Sequence, residues 1–88
     1  MIVIFSKGFK KDLSKLKDFK LKQKLKSVIL ELESQNNLTE ITNLKKMKGY
    51  STAYRIRVGD YRLGFYYDEN CVTLARFVKR NDIYRLFP

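Results

Sequence analysis

The sequence predicts an α+β fold, an N-terminal helical hairpin packed on a mainly antiparallel, twisted β-sheet, and three observations carry that prediction. Apolar residues recur at helical spacing as far as Leu32, the period changes to two after Gly49, and Gly59-Asp60 separates two alternating runs in the manner of a two-residue hairpin turn. With 44% apolar residues and no low-complexity tract, residues 1–88 are expected to form a single globular domain with a small core.

Met1 to Phe5 is a short β-branched run that reads as a first strand, and Ser6 after it is a helix N-cap. Phe9, Leu13 and Leu16 then define one helix. Asp18 can cap a second, in which Leu21, Leu25, Val28, Ile29 and Leu32 form one stripe, ended by the polar residues Ser34 to Asn37. Leu38, Ile41, Leu44 and Met47 recur every third residue, which predicts an irregular or short helical connector, not a regular strand. Lys45, Lys46, Lys48 and Gly49 read as a basic, flexible lead-in.

Beyond it, Tyr54, Ile56 and Val58 alternate with Arg55 and Arg57, and Tyr61, Leu63, Phe65 and Tyr67 alternate with Arg62, Gly64 and Tyr66. If the apolar set faces the helices, Arg55, Arg57 and Arg62 all project from the opposite face. Gly59 at the first central position fits a type II′ turn. A further strand from about Val72 to Val78 has apolar groups on both faces, so its register is ambiguous, and Ile83 to Pro88 reads as a short tail.

The formal charge of +10, from 19 Lys and Arg against 9 Asp and Glu, points to a polyanionic partner, either nucleic acid or an acidic protein. The basic residues are segregated. Every lysine except Lys79 lies at or before Lys48, and every arginine at or after Arg55. Lysine is a hydrated point charge suited to a solvated helix face, whereas arginine offers a planar fork that grips phosphate in two places, so specific work is expected in the second half. No apolar run approaches the length of a membrane helix, and the single Cys71 cannot form an internal disulfide, which together point to the cytoplasm and no membrane role.

Histidine is absent, which excludes Cys/His zinc sites and histidine-based triads, and the acidic residues of the sheet half fall singly in turns, so neither a catalytic metal nor a cofactor is expected. What remains is Arg55, Arg57, Arg62, Arg80 and Tyr84. Such a set can hold a scissile phosphate and neutralise charge building on its oxygens while a ribose 2′-hydroxyl attacks, which is metal-free RNA cleavage. Proton transfer would fall to Tyr84, to Lys79 with a depressed pKa, or to a partner. Tyr66, on the arginine face, can stack a base, and Lys48 and Lys79 add charge for RNA. The same pattern also describes an ordinary solvated antiparallel strand.

The run from Tyr54 to Leu63, followed by Lys79 to Tyr84 and preceded by Met47-Lys48-Gly49, resembles the RelE/ParE family of toxins from bacterial type II toxin-antitoxin systems. The resemblance covers nearly the whole chain. It implies two helices on a mainly antiparallel sheet and a cognate antitoxin, acidic and partly disordered when free, that masks the basic face. RelE-like members cut mRNA in the ribosomal A site, whereas ParE-like members poison DNA gyrase. Retention of Arg55, Arg57, Arg62, Arg80 and Tyr84 favours the ribosome-dependent endoribonuclease. By analogy Arg62 and Arg80 would hold the phosphate, Arg55 and Arg57 would position RNA, and Tyr84 would orient or activate the hydroxyl. Lys79 stands where many relatives carry histidine. The alternatives are a gyrase-inhibiting toxin without nuclease activity and a module that binds only its antitoxin.

Overall fold

A computed structural model describes all 88 residues. The chain runs β1 (Ile2–Phe5), α1 (Lys7–Ser14), α2 (Phe19–Ser34), a 3₁₀ turn (Leu38–Glu40), β2 (Leu44–Lys46), β3 (Ala53–Val58), β4 (Tyr61–Asp68), β5 (Cys71–Lys79) and α3 (Ile83–Leu86). Both predicted caps form. Ser6 Oγ accepts from Phe9 N at 3.1 Å, and Asp18 Oδ1 accepts from Leu21 N at 3.1 Å, each satisfying an amide that the first helical turn leaves open.

The five strands lie in the order β1-β5-β4-β3-β2, antiparallel except for the β1–β5 pair. The helical hairpin covers one face. Phe9, Leu16, Leu21, Leu25 and Leu32 bury there against Ile56, Val58, Leu63, Phe65, Val72, Leu74 and Phe77. At the hairpin between β3 and β4, Gly59 takes a φ of +60°, the sign that its position in a type II′ turn demands.

Two expectations are corrected. Lys45 and Lys46 belong not to a flexible lead-in but to strand β2, paired with Arg55 and Tyr54. Only the short Leu38–Glu40 turn keeps the helical character read for the connector, because the backbone groups of β3 draw Leu44–Lys46 into the ladder whatever their side-chain spacing. Ile83 to Pro88, read as a short tail, pack onto the protein. They form α3 and fold back over the sheet face opposite the hairpin, where Ile83 and Phe87 join Met47 and Ala53 in a second, separate core.

The ambiguous register of β5 has a structural cause. Gly64 pairs with Arg76 while Phe65 pairs with Leu74, so Ala75 is the extra residue of a β-bulge. Leu74 and Phe77 therefore both reach the main core, three residues apart, while Ala75 and Val78 pack against the small one. Helix α1 braces this irregularity. Ser6 Oγ donates to the carbonyl of Ala75 at 3.2 Å, and Asp12 accepts from Arg76 Nε at 2.7 Å, Arg76 Nη2 at 3.0 Å and the amide of Phe77 at 2.9 Å.

Candidate functional site: an arginine cluster without a counterion

Side chains alternate across a strand, and the β3–β4 register sets Arg57 directly opposite Arg62 and Arg55 opposite Gly64. The three arginines thus share the face away from the helical hairpin, as their spacing predicts. The chain leaves β5 at Lys79, and the amide of Arg80 donates to the carbonyl of Asp60 at 2.8 Å, which holds Arg80 beside the β3–β4 turn. From there α3 carries Tyr84 back over the sheet, its ring 5.6 Å from the guanidinium carbon of Arg55. Tyr84 itself is 67% exposed, while Phe87 is buried to 2% and does the anchoring.

Two recesses open on this face. One, of about 410 Å³, is lined by Arg55, Arg62, Arg80, Asn81 and Tyr84. The other, of about 270 Å³, is lined by Asn43, Leu44, Lys45, Arg55, Arg57 and Arg62. Arg55 and Arg62 belong to both. Sequence reasoning missed Asn43, Lys45 and Asn81; the two residues of the β2 edge carry no signal until β2 is known to be a strand.

Arg62 is the centre of the arrangement and only 7% exposed, which corrects any picture of this face as an ordinary solvated strand. Its Nη1 donates to the carbonyls of Gly59 and Tyr61 at 3.0 and 2.9 Å, while Nε and Nη2 make no hydrogen bond within the protein. Burial first, and then the positive charges of Arg55, Arg80 and Arg57, push its pKa below the ordinary arginine value. No carboxylate relieves that repulsion. The two ion pairs of the chain are Arg76 with Asp12 and Arg85 with Asp82, neither in these recesses. A buried guanidinium with a free donor edge, ringed by like charges, is a ready seat for an anion such as a phosphate.

The three residues predicted to add contacts to RNA fall apart in space. Tyr66 is on the arginine face, half exposed, with its ring 5.1 Å from that of Phe87. Lys48 is exposed in the turn after β2, in a groove with Lys46 and Tyr50. Lys79 is exposed and faces the helical side, in a groove with Asp12, Tyr61 and Arg76, so the structure does not bring it to the arginines. No three Cys, Asp or Glu side chains converge in a group that could hold a metal ion.

Comparison with known proteins adds the lineage. A family model described as the ParE toxin of the type II toxin-antitoxin system parDE matches residues 3–84. The chain is 37% identical, over the whole length of both, to Toxin RelE3 of Methanocaldococcus jannaschii. Among solved structures it is similar to a chain of the RelB-RelE antitoxin-toxin complex from Methanococcus jannaschii, with a TM-score of 0.81 and 35% identity over 97% of this chain and 99% of that one. The YoeB dimer from Staphylococcus aureus shares the fold, with a TM-score of 0.71 and 22% identity over 90% of this chain and 94% of the other.

Proposed function

Because the chain belongs to the RelE/ParE family of toxins of type II toxin-antitoxin systems, we propose that it is a ribosome-dependent mRNA endoribonuclease that acts in the cytoplasm and halts translation. The observation that carries the proposal is the convergence of Arg55, Arg57, Arg62, Arg80 and Tyr84 on two adjoining recesses with no carboxylate between them.

The chemistry follows from those groups. A 2′-hydroxyl attacks the adjacent phosphorus, forming the 2′-O–P bond and breaking the bond to the 5′-oxygen, so the products are a 2′,3′-cyclic phosphate and a 5′-hydroxyl. One proton leaves the attacking oxygen and one must reach the departing oxygen. Arg62, buried and with donors to spare, and Arg80 across the same recess hold the phosphate oxygens where negative charge grows. Arg55 stands against the Tyr84 ring, a contact that steadies the phenol at the mouth of the recess, where its oxygen orients or relays the hydroxyl proton. Arginine stays protonated in any workable buffer and is a poor proton carrier, which leaves part of the acid-base work to the ribosome and makes the protein slow without it. The same uncompensated positive face fits a cognate antitoxin of acidic character; the similar RelE of Methanococcus jannaschii was solved in complex with an antitoxin, RelB.

Primer extension on a defined mRNA, with and without programmed ribosomes, tests the proposal. Cuts at the A-site codon are expected only with ribosomes, reduced on the order of 10²–10³-fold by Arg80→Ala, the usual cost of one transition-state donor. Message left intact under both conditions would overturn it.

A further inference from the structure

The arginine set is divided between two recesses, and the division has more content than one phosphate site requires. Arg80 and Tyr84 line only the first; Arg57, Lys45 and Asn43 line only the second; Arg55 and Arg62 form the wall between them. Lys45 enters because β2 pairs it with Arg55, which puts both side chains on one face of the sheet, while the adjoining Lys46 pairs with Tyr54 and faces the other way. Arg57 is tied down at two points. Its amide donates to the carbonyl of Asn43 and its Nη2 to the Asn43 Oδ1, both at 3.3 Å, and Asn43 offers both acceptors from a left-handed backbone with a φ of +64°. Such a conformation suits asparagine among non-glycine residues, and it aims the guanidinium of Arg57 into the recess.

One phosphodiester carries one negative charge. Five cations gathered around it, Lys45, Arg55, Arg57, Arg62 and Arg80, would leave most of their mutual repulsion standing. Arg55 and Arg57 lie two residues apart on β3, roughly 7 Å at the rise of an antiparallel strand, a step of the order that separates neighbouring phosphates on a nucleic-acid strand. We propose that Lys45, Arg57 and Asn43, with the shared Arg55 and Arg62, build a second phosphate cradle, so that the protein grips two consecutive phosphates of one RNA strand. Lys45 and Arg57 hold the phosphate that flanks the one under attack, and Asn43 is a positioning residue that acts through Arg57. The inference rests on the endoribonuclease reading and adds a substrate register to it.

Two small probes separate one cradle from two without any cleavage: a nucleoside 5′-monophosphate and a nucleoside 3′,5′-bisphosphate, titrated calorimetrically into the intact protein. The bisphosphate is expected to bind about tenfold more tightly than the monophosphate, the effect of one added charge-assisted contact pair. Lys45→Ala should abolish that advantage and leave monophosphate affinity within about twofold, while Lys46→Ala, which removes the same charge from the other face of the same strand, should leave the advantage intact. Both lysines are exposed, so neither change threatens folding. A bisphosphate that binds no better than the monophosphate, or equal losses in the two lysine variants, would overturn the second cradle. Ribosome-dependent cuts that still need Arg80 would then leave the endoribonuclease reading in place, whereas loss of those cuts removes that reading by itself.

Discussion

Arg62 illustrates how a single residue can cost stability and supply function. Its guanidinium is partly desolvated, repelled by three neighbours and bonded within the protein only to the carbonyls of Gly59 and Tyr61. Replacing a buried charge of this kind by an apolar side chain of similar length is often neutral or stabilising. Arg62→Met is therefore expected to raise the unfolding free energy by about 1 kcal/mol in urea titrations, while cleavage falls on the order of 10²-fold. A loss of both would mean that the two carbonyl contacts outweigh the repulsion. The charge persists at every accessible pH, so the penalty is constant across pH and is relieved by an anion, not by alkali. That Arg62 belongs to the site is legible from the alternation of β4; that it is buried is not. It shares its recess with Arg80, Asn81 and Tyr84, from a segment more than fifteen residues downstream that folds over the same face, and no local pattern announces such a return.

At the scale of the element, legibility tracks how far each piece depends on its neighbours. The capped helices and the β3–β4 hairpin are written in local chemistry, in Ser6, Asp18 and Gly59, and they form as expected. Strand β2 and helix α3 are not: β2 exists through its partner, and α3 through a small apolar patch. That patch makes α3 separable from the rest of the protein. Phe87 lies over Gly64, where a Cβ would come within 2.6 Å of the ring, so the floor of the second core admits no side chain at that position. Gly64→Ala is expected to cost about 2 kcal/mol by overpacking and to undock the segment that carries Arg80 and Tyr84. Circular dichroism should show the helical hairpin intact while ribosome-dependent cleavage is lost. Adding Phe87→Leu should recover part of the stability, since the two positions touch and their effects will not add.

For the whole molecule, a net charge of +10 on 88 residues means that the folded state gathers repulsion which the unfolded chain spreads out. Phosphate should therefore stabilise the protein beyond its contribution to ionic strength. At a hundredfold excess over its dissociation constant a site-bound anion adds about 2.7 kcal/mol, so Tm in phosphate should exceed Tm in chloride at equal ionic strength, and the gap should close in Arg62→Met. Equal values in the two salts would mean that the recesses do not bind anions in the free protein.

The bulge at Ala75 has a consequence for how such chains tolerate change in length. A strand ordinarily obeys parity: residues of even separation share a side, and one deletion reverses every position that follows. Ala75 already holds one such reversal, and α1 clamps it from both ends through Ser6 and Asp12. Removing that one residue would leave Gly64 paired with Arg76 and Leu63 with Phe77, whereas drawing it into the regular ladder would turn Phe77 out of the main core as Val78 turned in. The exit of the chain towards Arg80 would then swing to the wrong side of the sheet. The irregular residue is thus the odd term that brings Arg80 to the same side as Arg55, Arg57 and Arg62.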